Sequence, residues 1–298
     1  MRTIAMVNQK GGCGKTTTAI NTAVAFAEHD KRVLLIDLDP QGHATIGLGY
    51  EPDSFNHTTY DLLVSPQGAL HRVRVHTKIE GLDLVPCNVL LASAELELAG
   101  VPGKELLLSR ALREARDRYD LCVIDCPPAL GILTLNALVT STDVIVPVQV
   151  HYFALEGLKR LLETVRVIRD RFHPVSMGKI GLLLTFVEER RMLSRRIQRQ
   201  MRDLFGDLVF DAVIRRDLVL AESPGTGRSV LDYAPQSMGA ADYRALACEV
   251  LGEKPLPRAV PLPARVRRGA QKLLVDLFDG IWIPKQARSY EPGSIEST

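Results

Sequence analysis

Nowhere does this chain carry an apolar run near the roughly 20 residues that span a bilayer, which excludes a membrane-crossing helix. Its first residues lack the layout of a signal peptide and enter a strand-like run, RTIAMVN, at once. Charge of one sign is not in excess either. With 37 Lys and Arg against 35 Asp and Glu, the formal net charge is +2, so a contact with nucleic acid has to come from a local patch. Cysteine is sparse and scattered, at Cys13, Cys87, Cys122, Cys126 and Cys248. Cys122 and Cys126 stand close, but LCVIDCPP reads as a buried strand with no histidine at metal-site spacing. The expectation is reduced thiols in a cytosolic protein. Internal repeats and low-complexity tracts are absent, which excludes a repeat architecture.

What is present is an ordinary globular composition, 46% hydrophobic and 24% charged over 298 residues. Short apolar runs at 3–8, 32–38, 82–86, 121–126, 143–149 and 179–187 read as strands. Several are apolar almost throughout, as parallel strands covered on both faces are. Helical patterns lie at 16–29, 89–98, 104–118, 131–141, 154–172, 192–205 and 239–251. The alternation predicts an α/β, doubly wound, mainly parallel sheet with helices on both faces and ligands at the carboxyl ends of the strands. That domain is expected over 1–252. EKPLPRAVPLPARVRR then carries four prolines, so 253–265 reads as a linker and 266–298 as a C-terminal extension.

The first strand runs into KGGCGKTT and then a helix, the context of a phosphate-binding loop. Gly11, Gly12 and Gly14 let backbone N–H groups turn toward phosphate oxygens, and the helix start adds its dipole. Lys15 is placed for the β- and γ-phosphates and the Thr16 hydroxyl for Mg²⁺, with Cys13 and Thr17 completing the loop. Asp37 and Asp39 end the second strand and Asp125 a later one. Each is a cap or turn residue in the bland reading, but three carboxylates at strand tips suit a metal's hydration shell or an attacking water. Lys10, a second lysine just ahead of the glycines, is a solvated surface lysine in the bland reading, since Lys15 is enough to bind one nucleotide.

KGGCGKTT, VLLIDLDPQGHAT and VIDCPPALGILTLNAL together resemble the deviant Walker motifs of the ParA/Soj family of partition ATPases. PVQVHYFALEGLKRLLETV and VLAESPGTGRSVLDYAPQSMGAADYRALACEVL extend the likeness over 2–251. The resemblance implies a slow Mg²⁺-dependent ATPase of the P-loop NTPase fold, working as an ATP-sandwich homodimer in which Lys10 reaches the partner's phosphates. It further implies that Asp39 orients the attacking water, that Thr16 holds Mg²⁺ directly and Asp125 through water, and that Asp37 supports that network. Arg215, Arg216 and Asp217 fall where the family commonly reads Pro-Arg-Asn beside base and ribose, which assigns Arg216 and Asp217 to the nucleotide. Cys13 stands where the family often has valine; it either fills the loop or acts as a low-pKa thiol at a helix start.

The segment EERRMLSRRIQRQMR holds six arginines against two glutamates. On a helical wheel Leu193, Ile197, Met201 and Leu204 share one face, and Arg195, Arg199 and Arg202 the other, with Arg196 beside them. Arg190 and Arg191 precede them, and Arg215, Arg216 and Arg228 are candidates to join. A face of arginine alone repels itself unless it meets an anion, so the phosphate backbone of double-stranded DNA is favoured over a merely solvated face. The resemblance implies non-specific DNA binding in the ATP state, a nucleoid-associated cytoplasmic location and a ParB-like activator. Val219 departs from the Soj type, which often carries a basic residue there, whereas Arg190 matches another basic position.

In the extension, Val266, Ala270, Leu273, Leu274, Leu277, Phe278 and Ile281 form an apolar stripe closed by Trp282, the sole tryptophan. Arg268, Lys272, Asp276 and Asp279 lie opposite. An amphipathic helix over about 266–282 can dock on its own domain, lie on a membrane surface as in MinD relatives, or recruit a partner. A MinD-like membrane-cycling ATPase is therefore the alternative, followed by positioning of another cargo. An electron-transfer ATPase would need Cys122 and Cys126 at a dimer axis. A non-enzymatic scaffold does not fit the full set of loop and strand-tip residues.

Overall fold

The computed structural model describes residues 1–65, 69–150, 154–172 and 179–252. The linker, the extension and the 266–282 helix pattern thus lie outside the described residues. The strands are β1 (Arg2–Met6), β2 (Val33–Asp37), β3 (Val75–His76), β4 (Leu82–Val85), β5 (Leu121–Asp125), β6 (Asp143–Gln149), β7 (Ile180–Val187) and β8 (Val209–Arg215). They form one sheet in the order β3-β4-β2-β5-β1-β6-β7-β8. Every neighbouring pair is parallel except β3 with β4.

Why the strands read as apolar runs is visible in how they divide their side chains. Along β2, Leu34 and Ile36 enter one core while Val33 and Leu35 enter the other; along β1, Ala5 goes one way and Ile4 and Met6 the other. Both faces are thus roofed, by helices such as Ile132–Thr140 on one side and Lys15–Glu28 and Met238–Leu251 on the other. A strand buried on two sides has no polar alternation to show. Each fully buried Leu, Ile or Val contributes roughly 1.5–3 kcal/mol against exposure.

The sequence pattern differs from the structure at several points. The expected helix over 104–118 is broken into two 3-10 turns, Lys104–Leu106 and Leu112–Ala115, around the short helix Leu107–Ala111. Strand β8 was not signalled, because VFDAVIR places the exposed Asp211 amid its apolar residues. Leu193 does not belong to the buried face of Met192–Phe205. That face is Ser194, Ile197, Met201 and Phe205, and Leu193 is 58% exposed.

The sheet also levels the strand tips. Met6, at the end of β1, is in register with Asp125 of β5, and Asp125 with Asp37 of β2. The loop that leaves β1 therefore emerges beside two carboxylates carried on adjacent strands.

Candidate functional site

The glycine loop crosses from β1 to the helix Lys15–Glu28. Gly12 and Gly14 have φ of 70° and 90°, backbone that a side chain would strain, and a Cβ at Gly11 or Gly12 would meet nothing among the described residues within 4 Å. The loop is fastened from behind. The Thr185 hydroxyl of β7 donates to the Cys13 carbonyl at 2.9 Å, and the Cys13 thiol donates to the Lys10 carbonyl at 3.2 Å. Lys15 is 7% exposed, and its ammonium donates to the Lys10 carbonyl at 3.3 Å. Thr16 and Thr17 stand at the mouth of a cavity of about 240 Å³ that His43, Ile46, Pro224 and Arg228 also line. The Lys10 side chain is exposed, and its ammonium donates to Gln149 at the end of β6 at 3.0 Å.

The three strand-tip carboxylates have different surroundings. Asp37 is wholly buried, and its Oδ2 accepts the Thr45 hydroxyl at 2.7 Å and the Thr45 N–H at 2.8 Å. Its Oδ1 accepts the Asp39 N–H at 3.3 Å. Burial pushes its pKa up to about 6, against the pull of those donors. Asp39 is 7% exposed, with Oδ1 taken by the Gln41 N–H at 3.0 Å. Asp125 is wholly buried, and neither oxygen has a hydrogen-bond partner among the described residues. Burial and then the Asp37 charge raise its pKa well above the ordinary carboxylate value; the Thr16 hydroxyl, short of ordinary hydrogen-bond geometry, and the Lys15 ammonium oppose the rise.

These surroundings separate residues that the sequence grouped. Asp37, expected in the metal network, is occupied in tying β2 to the short helix His43–Gly47. Asp125 is the buried carboxylate with both oxygens left without a hydrogen-bond partner among the described residues, beside Thr16 and Lys15. An orphaned buried carboxylate is costly unless a cation or its water joins it. The residues present therefore fit a hard divalent ion with oxygen ligands, Thr16 and Asp125 being the groups that would hold it.

The thiols do not extend this chemistry. Burial raises the Cys13 pKa, so the loop-filling role stands against that of a low-pKa thiol. Cys122 and Cys126 are fully buried in and after β5, and among the described residues no cluster of three or more His, Cys, Asp or Glu side chains is arranged for a metal.

Of the predicted arginines, Arg190, Arg195, Arg196 and Arg199 are exposed at and along Met192–Phe205. Others have partners that the linear sequence did not show. Arg215 turns inward and makes a forked pair with Asp242, which is 1% exposed, so it does not join the surface patch. Arg202 faces Asp211, Arg228 is forked onto Asp232, and Glu188 holds both Arg191 and Arg216. Asp217, assigned to the nucleotide, accepts the N–H groups of Gly239 at 2.9 Å and Val219 at 3.4 Å and so braces a turn. Thr185 and Glu188 escaped sequence reasoning because their partners Cys13 and Arg216 lie far along the chain, and Thr45 because nothing local marks its hydroxyl as turned back onto Asp37.

A glycine loop between a central parallel strand and a helix, with acidic residues on the adjoining strand tips, defines a P-loop NTPase. An AAA-domain family model matches residues 1–176. Chromosome-partitioning ATPase Soj of Thermus thermophilus is 46% identical over 253 residues, covering 84% of this chain and 96% of that protein. Sporulation initiation inhibitor protein Soj of Bacillus subtilis is 43% identical over 247 residues, covering 83% and 97%. Among solved structures, cobyrinic acid a,c-diamide synthase from Mycobacterium smegmatis, with a bound ATP analogue and magnesium, superposes with a TM-score of 0.74. It is 34% identical and covers 87% of this chain and 100% of that one. The chain belongs to the Soj/ParA family of chromosome-partitioning ATPases.

Proposed function

We propose that this chain is a Mg²⁺-dependent ATPase that dimerises around ATP, binds double-stranded DNA non-specifically in that state and segregates a chromosome, plasmid or other cargo with a ParB-like activator. The observation that carries the reading is the pair of unpartnered Asp125 oxygens, buried beside Thr16 and Lys15 under an open glycine loop. Relatives named as chromosome-partitioning ATPases, and a structural neighbour solved with an ATP analogue and magnesium, support it.

Each residue then has a task. Lys15 exchanges a neutral carbonyl, that of Lys10, for the stronger charge of the β- and γ-phosphates. Asp39 keeps Oδ1 on the Gln41 N–H and leaves Oδ2 to orient the attacking water. Thr16 and Asp125 would hold magnesium, which would supply positive charge against the phosphate oxygens. Lys10, exposed beside the loop, supplies a cation to the nucleotide of a second copy, where charge develops in transfer.

The surface around the loop suits that second copy. Val89, Leu90, Met192, Leu193 and Leu218 are exposed apolar residues in the segments that follow β4, β7 and β8. Apolar groups gathered on one edge mark an interaction face. In the dimer the arginines of two Met192–Phe205 helices would meet the DNA backbone together, and hydrolysis would release it.

The test is co-sedimentation of the protein with DNA, with ATP, ADP or no nucleotide, over a salt series. Asp39→Ala, which keeps the phosphate contacts and loses the water-orienting carboxylate, runs alongside. Binding that needs ATP, persists in Asp39→Ala and falls steeply with salt is expected. Binding indifferent to nucleotide would overturn the switch.

A further inference from the structure

Lys10 is held to the tip of β6 by its backbone and by its side chain. Its N–H donates to Asn8 Oδ1 at 3.0 Å, and the Asn8 amide donates in turn to the Pro147 carbonyl of β6 at 2.6 Å. At the end of the same strand, Gln149 Oε1 accepts the Lys10 ammonium at 3.0 Å. The Lys10 carbonyl meanwhile takes the Cys13 thiol and the Lys15 ammonium. The main chain of Lys10 thus belongs to its own phosphate loop, while its cation is tied to the neighbouring strand. Gln149 is half-buried at that post, and Lys10 is exposed.

The order of the strands gives such a tie a use. β1 lies between β5 and β6, so the tip of β6 stands on one flank of the loop. Asp37, Asp39 and Asp125, at or just past the ends of β2 and β5, stand on the other. An ammonium on a long flexible stem is drawn toward acidic groups and has many conformers to lose when it is finally fixed. A neutral amide bonds it without cancelling its charge. That bond engages one of the three ammonium protons and leaves the others for an anion.

We propose that Gln149 is a positioning residue for Lys10: its amide oxygen keeps the ammonium on the β6 flank, fully charged and clear of the acidic flank of its own loop. The inference rests on the reading of Lys10 as the cation supplied to the nucleotide of a second copy. It adds that this cation is set in place before two chains meet, so that association does not have to order a long side chain.

The experiment measures dimerisation of the full chain by analytical ultracentrifugation, with Mg²⁺ and the β,γ-imido analogue of ATP, which is not hydrolysed. Gln149→Ala, Gln149→Met, Lys10→Ala and the Lys10→Ala, Gln149→Ala pair are compared with the parent, and the affinity of each for ADP with Mg²⁺ reads the loop without the dimer. Gln149→Met keeps the length and bulk of the side chain and lacks the amide oxygen. Both Gln149 variants are expected to weaken the dimer about threefold to tenfold, the range of one long side chain left to be ordered on association, with ADP affinity within about twofold of the parent's. In the Lys10→Ala chain, Gln149→Ala should weaken the dimer no further, because no ammonium is left to hold. A methionine variant that dimerises like the parent would mean that Gln149 only fills space. A matching loss of ADP affinity would mean that it props the loop, and an equal loss with and without Lys10 that it acts through another group. Each of these results overturns the proposal and leaves Lys10 its task, whereas a Lys10→Ala chain that dimerises as tightly as the parent would remove the reading of Lys10 itself.

Discussion

Thr45 gives both its backbone N–H and its hydroxyl to a single oxygen of Asp37, at 2.8 and 2.7 Å. The same hydroxyl oxygen accepts the Cys87 N–H at 3.0 Å. One side chain thus pins the tip of β2, the helix His43–Gly47 and the segment after β4. Asp39 lies inside the loop so closed, which gives the proposed water-orienting carboxylate a fixed base.

Thr45→Val keeps the shape and removes the hydroxyl, leaving the Cys87 N–H and one lone pair of Asp37 without their partner. Unmet buried polar groups cost about 1–3 kcal/mol. Thr45→Val should therefore melt earlier, and ATP hydrolysis should fall in kcat with little change in KM, because Asp39 and not the phosphate loop is loosened. Thr45→Ser should restore most of both. A valine variant with unchanged kcat would separate the latch from catalysis.

Asp125 makes the opposite prediction, a gain in stability. Its folded pKa is raised by burial, so the fold holds that proton more tightly than the unfolded chain does. Stability is then lost as pH rises above the unfolded value of 3.8, and the loss persists at neutrality. Asp37, raised to about 6, loses stability over 3.8 to about 6 with the same sign. Nucleotide-free Asp125→Asn should melt higher than the parent chain at pH 7, converge with it near pH 4, and fail to hydrolyse ATP. A lower melting temperature across that whole range would mean the carboxylate is better satisfied than its surroundings imply.

How much of this was legible in the sequence follows from how far apart the partners lie. The loop, Lys15 and the strand-tip aspartates form contiguous motifs next to runs buried on both faces, and those runs have no other use than a covered parallel sheet. The division of labour between Asp37 and Asp125 was not legible, because it depends on Thr45 bonding Asp37 while Thr16 and Lys15, though beside Asp125, complete no hydrogen bond to it among the described residues. The arginine patch was readable as a face but not as a surface. Asp242 claims Arg215 from 27 residues away, and Glu188 claims Arg216 from 28. Strand β8 left no periodic trace, since it is set by the neighbouring strand rather than by local preference.

Gly49 and Gly227 test whether the loop after Asp39 leans on the 223–228 turn. Their φ values are +83° and +67°, and a Cβ at Gly227 would lie 2.5 Å from the Gly49 Cα. Left-handed backbone costs alanine about 1–2 kcal/mol, and here the contact is backbone on backbone, with nothing flexible to yield. Gly227→Ala should lower the melting temperature by several degrees and slow hydrolysis, since the displaced loop carries Asp39. Gly225→Ala, two residues earlier, meets nothing within 4 Å among the described residues and should leave both unchanged.

The arginines divide into two groups that should fail in different ways. Arg195→Ala, Arg196→Ala and Arg199→Ala remove exposed charge and should leave melting within about 0.5 kcal/mol of the parent. Each should weaken DNA binding in the ATP state and lower its salt slope by about one, as expected when one phosphate contact is lost. Arg215→Ala removes the partner of a carboxylate buried between β8 and Met238–Leu251, which costs about 3–5 kcal/mol. Its DNA affinity, measured where the variant remains folded, should keep the parent's salt slope. A lowered slope in Arg215→Ala, with none in the other three, would place the DNA on the β8 side of the sheet and away from the helix Met192–Phe205.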